Sequence, residues 1–418
     1  MELIKRWAEG EYAIAKNIFK AIIFSGVRQC GKTTLMKEAM PAAAAYVSMD
    51  NVALQQQAQE APSMFLMRYR AKLCIAIDEV QKVPDLFHEI KRFADEKEGF
   101  CQFLLSGSSD YRAMPTVHES MAGRLGEVRL RPLTEGEIQG NPPRLLQRLE
   151  QNDFGETVEF EECNKGVILQ KAIIGGFPVP LRAESIHRRY WYDDYVNALV
   201  QKDFLELADF KKPDLLRKLL QLSAVNSSRS INVSEAAALF GVSRPTLIQY
   251  MAALETMYLV NQVPAWMPRG ADKVLSKSKL LMCDTGLMSY LAGIGSKEPL
   301  AVLEDKDKTD LVGNLIETWV YQQLVPLTDI GRDWKLYYYR DSRGREIDFL
   351  LENMEGDLVC FEVKASEGVK SDHFKHLRWF REQYGKGRRI KTVVLYCGNE
   401  VLQYSENEWA LPLAYLWK

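Results

Sequence analysis

Residues 26–33 read GVRQCGKT and fit the spacing G-x-x-x-x-G-K-S/T. Such a loop binds phosphate. Its glycines let successive backbone N–H groups turn inward, and the helix that follows adds the positive end of its dipole. Lys32 is placed to reach β- and γ-phosphates as a point charge, and the Thr33 hydroxyl to ligate Mg²⁺. Val27, Arg28, Gln29 and Cys30 line the loop between Gly26 and Gly31, and Thr34 follows it. Further on, LCIAIDEVQ ends an apolar run in Asp78-Glu79. A buried strand has no use for adjacent carboxylates unless they lie at its mouth. There Asp78 can hold Mg²⁺ through its water shell, and Glu79 can polarise an attacking water. Ser106 is a candidate contact to the γ-phosphate or that water. Arg124 is a candidate γ-phosphate sensor or finger.

A second constellation lies in the C-terminal third: Glu317, Asp348, Glu362 and Lys364. In a strand, positions 362 and 364 face the same way, so a carboxylate and an ammonium share one site. Asp348 and Glu362 are of the type that binds Mg²⁺, with Glu317 completing the acidic cluster and Lys364 steadying the water or the developing charge. Glu-x-Lys alone carries little, since Glu89-Ile-Lys91 repeats it in a solvated helical stretch. The apolar strand around Glu362 and its upstream partners lift it above that background.

The elements that must place these groups are legible. The run AIIFS at 21–25 predicts a strand before the loop, TLMKEAM a helix after it, and residues 101–105 another strand. From residue 309 onward the pattern predicts helix, three strands, helix and strand. In between, VSEAAALF and RPTLIQYMAALETMYLV predict two helices joined by Gly241-Val242-Ser243, with Ser243 as N-cap. The stretch after them predicts a basic hairpin carrying Arg269, Lys273, Lys277 and Lys279, and Arg244, Thr246 and Gln249 would line a DNA groove. Such winged helices also serve as lids and protein-contact modules of ATPases.

GVRQCGKTTL, IDEVQ, LSGSS and AGRLGEVRLRPLTEGEI resemble the AAA-type domain of a large group of bacterial and archaeal ATP-binding proteins. In that group a C-terminal domain of uncertain function follows the ATPase. The C-terminal element order resembles the PD-(D/E)XK restriction-endonuclease-like core, although Ile347 rather than proline precedes Asp348. The resemblance implies an α/β chain: an AAA-type P-loop NTPase with a parallel sheet (residues 1–140), a helical connector or lid (141–213), a winged helix (214–300) and a nuclease-like α/β domain (305–418). ATP and Mg are the implied cofactors. DNA is a candidate partner, and AAA domains often form rings in which Arg124 could act between subunits of a homo-oligomer.

Composition bounds these readings. A formal net charge of −2 gives no global drive toward nucleic acid, so any such contact must rest on local basic patches. The seven cysteines form no CxxC pair, which argues against a zinc site or a disulfide framework. The N-terminus has no signal-peptide core, and no apolar stretch is long enough to span a bilayer, so a cytoplasmic protein is expected. Two functions follow. One is an ATP-driven enzyme acting on DNA through a metal-dependent nuclease site. The other is a nucleotide-gated switch whose C-terminal domain is a catalytically inactive binding module.

Overall fold

The computed structural model describes residues 3–111, 121–154, 164–204, 212–268, 277–294 and 309–418. Two compact units divide the chain: Lys5–Arg131 with Thr256–Leu259, and Met1–Ile4, Pro132–Glu255 with Val260–Lys418. The second unit holds the segments expected as connector, winged helix and C-terminal domain.

In the first unit, β1 (Ala21–Ser25), β2 (Ala45–Ser48), β3 (Ile75–Asp78), β4 (Phe103–Gly107) and β5 (Leu125–Arg129) form one parallel sheet, in the order β2-β3-β4-β1-β5. Every residue of β1, β3 and β4 is buried. That is why these strands read as continuous apolar runs instead of alternating ones. Helix α1 (Lys32–Ala39) follows β1. Helix α2 (Leu86–Glu96) buries Leu86, Phe87, Ile90, Phe93 and Ala94, a helical stripe that joins the core around Ile23, Ile77 and Leu105. The registers Ile23↔Leu105 and Ile77↔Leu105 bring the carboxyl ends of β1, β3 and β4 level. Loop 26–31, Asp78 and Ser106 therefore meet at one edge of the sheet, where ligands of open α/β sheets bind.

The second unit includes helices α3 (Lys165–Ile174), α4 (Ser185–Ala198) and α5 (Pro213–Val225). Helix α6 (Val233–Phe240) ends at Gly241, whose φ of +62° suits the left-handed cap. Helix α7 (Arg244–Thr256) opens with the Ser243 hydroxyl accepting the Thr246 N–H at 3.2 Å. Strands β6 (Val260–Val263) and β7 (Lys279–Met282) then pair antiparallel. Helix α8 (Thr285–Leu291) and the long helix α9 (Thr309–Asp329) follow. The last sheet has the order β12-β13-β11-β10-β9-β8, built from β8 (Trp334–Arg340), β9 (Glu346–Asn353), β10 (Leu358–Lys364), β11 (Ile390–Tyr396), β12 (Leu402–Ser405) and β13 (Glu408–Pro412). Helix α10 (Lys375–Tyr384) packs Leu377 and Phe380 into its core.

Two connections make this unit one body. After β6, Trp266 N–H donates to Tyr338 O at 2.7 Å and Tyr338 N–H to Pro264 O at 3.1 Å, which ties the chain to β8. Gly175, Gly176 and Phe177, which open the turn-like GGFPVP stretch, form a buried junction. The Asp284 carboxylate accepts the Gly176 N–H at 2.6 Å, the Leu287 N–H at 2.8 Å and the Tyr192 hydroxyl at 3.2 Å. A Cβ on Gly176 would lie 2.2 Å from Leu133 O, so glycine is required there by space alone.

Candidate functional site

The loop after β1 is shaped by glycine. Gly26 has φ +140°, and a Cβ there would sit 2.0 Å from Leu130 O. Gln29 and Gly31 also take positive φ, +67° and +104°, the backbone shape that turns successive amides into an anion-binding nest. Lys32 is buried, and its ammonium donates to Gly26 O at 3.0 Å and Val27 O at 2.9 Å. Cys30 buries its side chain against Leu130 O at 3.6 Å, leaving only backbone on the loop's inner side. Val27 is buried, Arg28 half-buried, and Gln29 and Thr34 are exposed.

Thr33 Oγ1 donates to Asp78 at 3.1 Å, the arrangement in which a hydroxyl and a carboxylate share a Mg²⁺ shell. Glu79 stands beside Asp78 in a left-handed conformation (φ +55°). Its carboxylate accepts from Gln81 and from the Ser108 hydroxyl at 3.3 Å. Several of these partners escaped the sequence reading. Tyr46 OH donates to Asp78 at 2.8 Å, and Arg6 clamps the loop through Cys30 O at 2.8 Å and Arg131 O at 2.6 Å. Nothing in the spacing around Arg6 announced that role. Gln81 could have been noticed, because it lies two residues beyond Glu79.

Two further expected residues, Ser106 and Arg124, lie against the Asp78 carboxylate and away from the loop's inner surface, respectively. Ser106 is fully buried; its hydroxyl donates to Asp78 and accepts the Glu79 N–H at 3.2 Å. It holds the Asp78 carboxylate and the Glu79 backbone, and Ser108 is the serine that reaches the Glu79 carboxylate. Arg124 precedes β5, and the parallel register Ala21↔Leu125 puts it at the opposite end of the sheet from the loop. There it pairs with Asp95 at 2.7 Å. Arg124→Ala is therefore expected to leave ATP turnover per chain within about threefold of wild type, the range of surface substitutions. A steady-state phosphate-release assay checks this.

In the second unit, a polar cleft of about 540 Å³ gathers Glu317 from α9, Asp348 and Glu346 from β9, and Glu362 from β10. Lys364 reaches Glu362 Oε1 at 2.6 Å. The expected four residues thus share one neighbourhood, with additions. Glu346 lies two positions before Asp348 on the same strand face, a signal that period-two reading could have found. Lys279, expected on a solvated basic hairpin, is instead 2% exposed. Its ammonium lies 2.7 Å from Glu317 Oε1, 2.9 Å from Glu346 Oε1 and 3.8 Å from Asp348 Oδ1. The correction has a simple cause: β7 is buried along its whole length, so the side chain at its start must find buried partners. Arg269 and Lys273 lie outside the described residues, while Lys277 is exposed.

These contacts bear on the expected magnesium ligands. Asp348 Oδ2 already accepts the Val363 N–H at 2.7 Å, Glu362 Oε1 holds Lys364, and Glu317 and Glu346 hold Lys279. The cluster carries its own cations, and its oxygens do not form an open set for Mg²⁺. Among the described residues no group of three His, Cys, Asp or Glu is arranged to hold a metal ion. The donor set does not fit the metal that the nuclease resemblance implies.

Burial pushes the Glu362 carboxyl up to about 8, with the Asp348 charge adding to the effect and Lys364 opposing it. Its Oε2 is buried without a partner, which is where a proton would reside. Folded chains thus keep a proton that unfolded chains release near the ordinary glutamate value. Stability from this group is expected to fall as pH rises from about 5 to about 8. Burial raises the Glu317 carboxyl to about 8 as well, so melting curves across that range should show the decline and Glu362→Gln should reduce its slope without removing it.

The described residues contain no helix long and apolar enough to cross a membrane. Residues 19–139 match the model of an AAA domain, and residues 312–416 match a domain of unknown function (DUF4143). The N-terminal region is an AAA domain of P-loop ATPase type with a parallel sheet, and a DUF4143 domain ends the chain. Residues 168–298 match a further domain of unknown function (DUF8612). The uncharacterised proteins Rv2008c of Mycobacterium tuberculosis and Mb2031c of Mycobacterium bovis are each 25% identical over 393 residues, covering 94% of this chain and 79% of theirs. Among solved structures, the Signal Transduction ATPase with Numerous Domains protein from Pyrococcus horikoshii aligns at TM-score 0.25 and 13% identity, over 79% of this chain. This chain spans about half, 52%, of that protein. Protein VC1899 of Vibrio cholerae aligns at TM-score 0.21 and 10% identity, over 95% of both chains. Both structural likenesses are too loose to bear on the fold.

Proposed function

We propose that the chain is a magnesium-dependent ATPase working as a nucleotide-gated switch, with a C-terminal module that performs no metal chemistry of its own. The observation that carries the ATPase reading is the meeting of Lys32, Thr33, Asp78 and Glu79 at one sheet edge beside a loop only glycine can form. Gly26, Gly31 and the intervening amides would cradle the phosphates, and Lys32 would exchange its contacts to Gly26 O and Val27 O for phosphate oxygens. Thr33 and Asp78 would hold magnesium, which on binding would neutralise charge on the β- and γ-phosphates. Glu79, oriented by Gln81 and Ser108, would accept the proton of the attacking water. Phosphate release with ATP and Mg²⁺ tests this, with EDTA as the control. An active wild type that loses turnover in EDTA supports the reading.

The switch is preferred to a DNA-cleaving enzyme because Lys279 and Lys364 neutralise the acidic cleft from within. The restriction-endonuclease-like fold remains our reading of the αβββαβ order without the metal chemistry attached to it. Helix α7 supports a winged-helix reading, since Arg244 and Gln249 are exposed on it and Thr246 is half-buried. An electrophoretic shift of duplex DNA that Arg244→Ala weakens would assign that face to DNA. An unchanged shift would exclude it.

A further inference from the structure

Most lysines beside carboxylates sit at a surface; Lys279 does not. It starts β7, and the strand is fixed on both sides of it. Ser228 N–H donates to Leu280 O at 2.8 Å and Leu280 N–H to Arg229 O at 3.0 Å. The Nζ atom lies 5.3 Å from the ring centre of Tyr338 and 5.7 Å from that of Phe349, and the side chain is 2% exposed. Moving the ammonium away would leave Glu317 and Glu346 facing each other without a cation.

A divalent metal between carboxylates needs oxygens at about 2.0–2.6 Å. An ammonium at 2.7 and 2.9 Å from two carboxylates already fills that space, and it would repel a second cation. We infer that Lys279 is the built-in counter-ion of the C-terminal cleft. It excludes Mg²⁺ and Mn²⁺ from Glu317, Glu346 and Asp348, and removing its charge would turn the cleft into a one-cation site. The inference rests on the metal-free reading of this module and goes beyond it, by assigning the exclusion to one side chain.

The test is a titration of Mn²⁺ into the nucleotide-free full chain, followed by the electron paramagnetic resonance signal of free Mn²⁺. Wild type, Asp348→Asn, Lys279→Met and the double variant Lys279→Met/Asp348→Asn are compared. Working without nucleotide keeps the outcome independent of the ATPase assignment. Wild type and Asp348→Asn should give the same trace. Lys279→Met should bind one additional Mn²⁺ at least about tenfold more tightly than any cleft site of wild type, and the double variant should lose it. A folded Lys279→Met chain that binds no more than wild type would overturn the role of Lys279 while leaving the module metal-free. A wild-type signal that Asp348→Asn removes would overturn both. If Lys279→Met does not fold, Lys279→Gln takes its place: an additional Mn²⁺ lost again in Lys279→Gln/Asp348→Asn supports the inference, and binding no greater than wild type sinks it.

Discussion

Replacing Lys32 by alanine is expected to abolish measurable ATP binding at micromolar nucleotide. The ammonium is buried at the mouth of the loop, held by Gly26 O and Val27 O, with its stem on the first turn of α1. A buried cation meeting phosphate contributes about 2–5 kcal/mol, roughly 30- to 1,000-fold or more in affinity. The fold should survive, because Lys32 makes no contact that holds the sheet together and alanine favours the helix. Fluorescent-nucleotide titration beside circular dichroism separates the two effects. Lost binding in a folded chain is the expected outcome. Binding within about threefold of wild type would mean that the phosphates lie elsewhere.

Asp284→Ala is expected to be the most damaging substitution to the second unit. Its carboxylate is fully buried and caps α8 through the Leu287 N–H while holding the Gly176 N–H and the Tyr192 hydroxyl. Alanine would leave two buried backbone donors unsatisfied at about 1–3 kcal/mol each, and would remove an N-cap. A loss of about 3 kcal/mol or more should lower the melting temperature by roughly 6–12 °C. Neighbouring packing compounds the loss. Gly175 and Gly286 also lack room for a Cβ, the first within 2.5 Å of Gly286 N and the second within 2.2 Å of Tyr192 OH, so no side chain can move in. Melting curves in the presence and absence of ATP test this. A shift under about 2 °C would show that the junction tolerates loss of the carboxylate.

Local chemistry made the nucleotide site legible. Strand β1 is an apolar run followed by Gly26, and β3 ends in Asp78 with Glu79 just beyond, so each signal lay within a few neighbouring residues. The end of α6 and the start of α7 were equally readable from Gly241 and Ser243. Placement that depends on partners distant in sequence is less legible. The parallel register, which sets Arg124 beside the start of β1, cannot be read from its neighbours. Lys279 looked like part of a solvated basic stretch, because its partners Glu317 and Glu346 come from a helix and a strand well downstream. The lysine was the start of a fully buried strand, and only the pairing with β6 and the contacts of Leu280 revealed it. The tight packing at Gly175-Gly176 is not legible for the same reason: its neighbours Leu133, Asp284 and Gln322 are distant in sequence.

The central claim is that residues 26–33 and Asp78-Glu79 form a hydrolytic site and not merely a nucleotide holder. Single-turnover release of phosphate from γ-labelled ATP, wild type against Glu79→Gln at saturating Mg²⁺, tests it most directly. The account expects the variant to bind ATP as wild type does while hydrolysing it about 10²- to 10⁴-fold more slowly, the usual loss when a general base is removed. Equal rates in the two chains, or no hydrolysis by wild type at all, would contradict it.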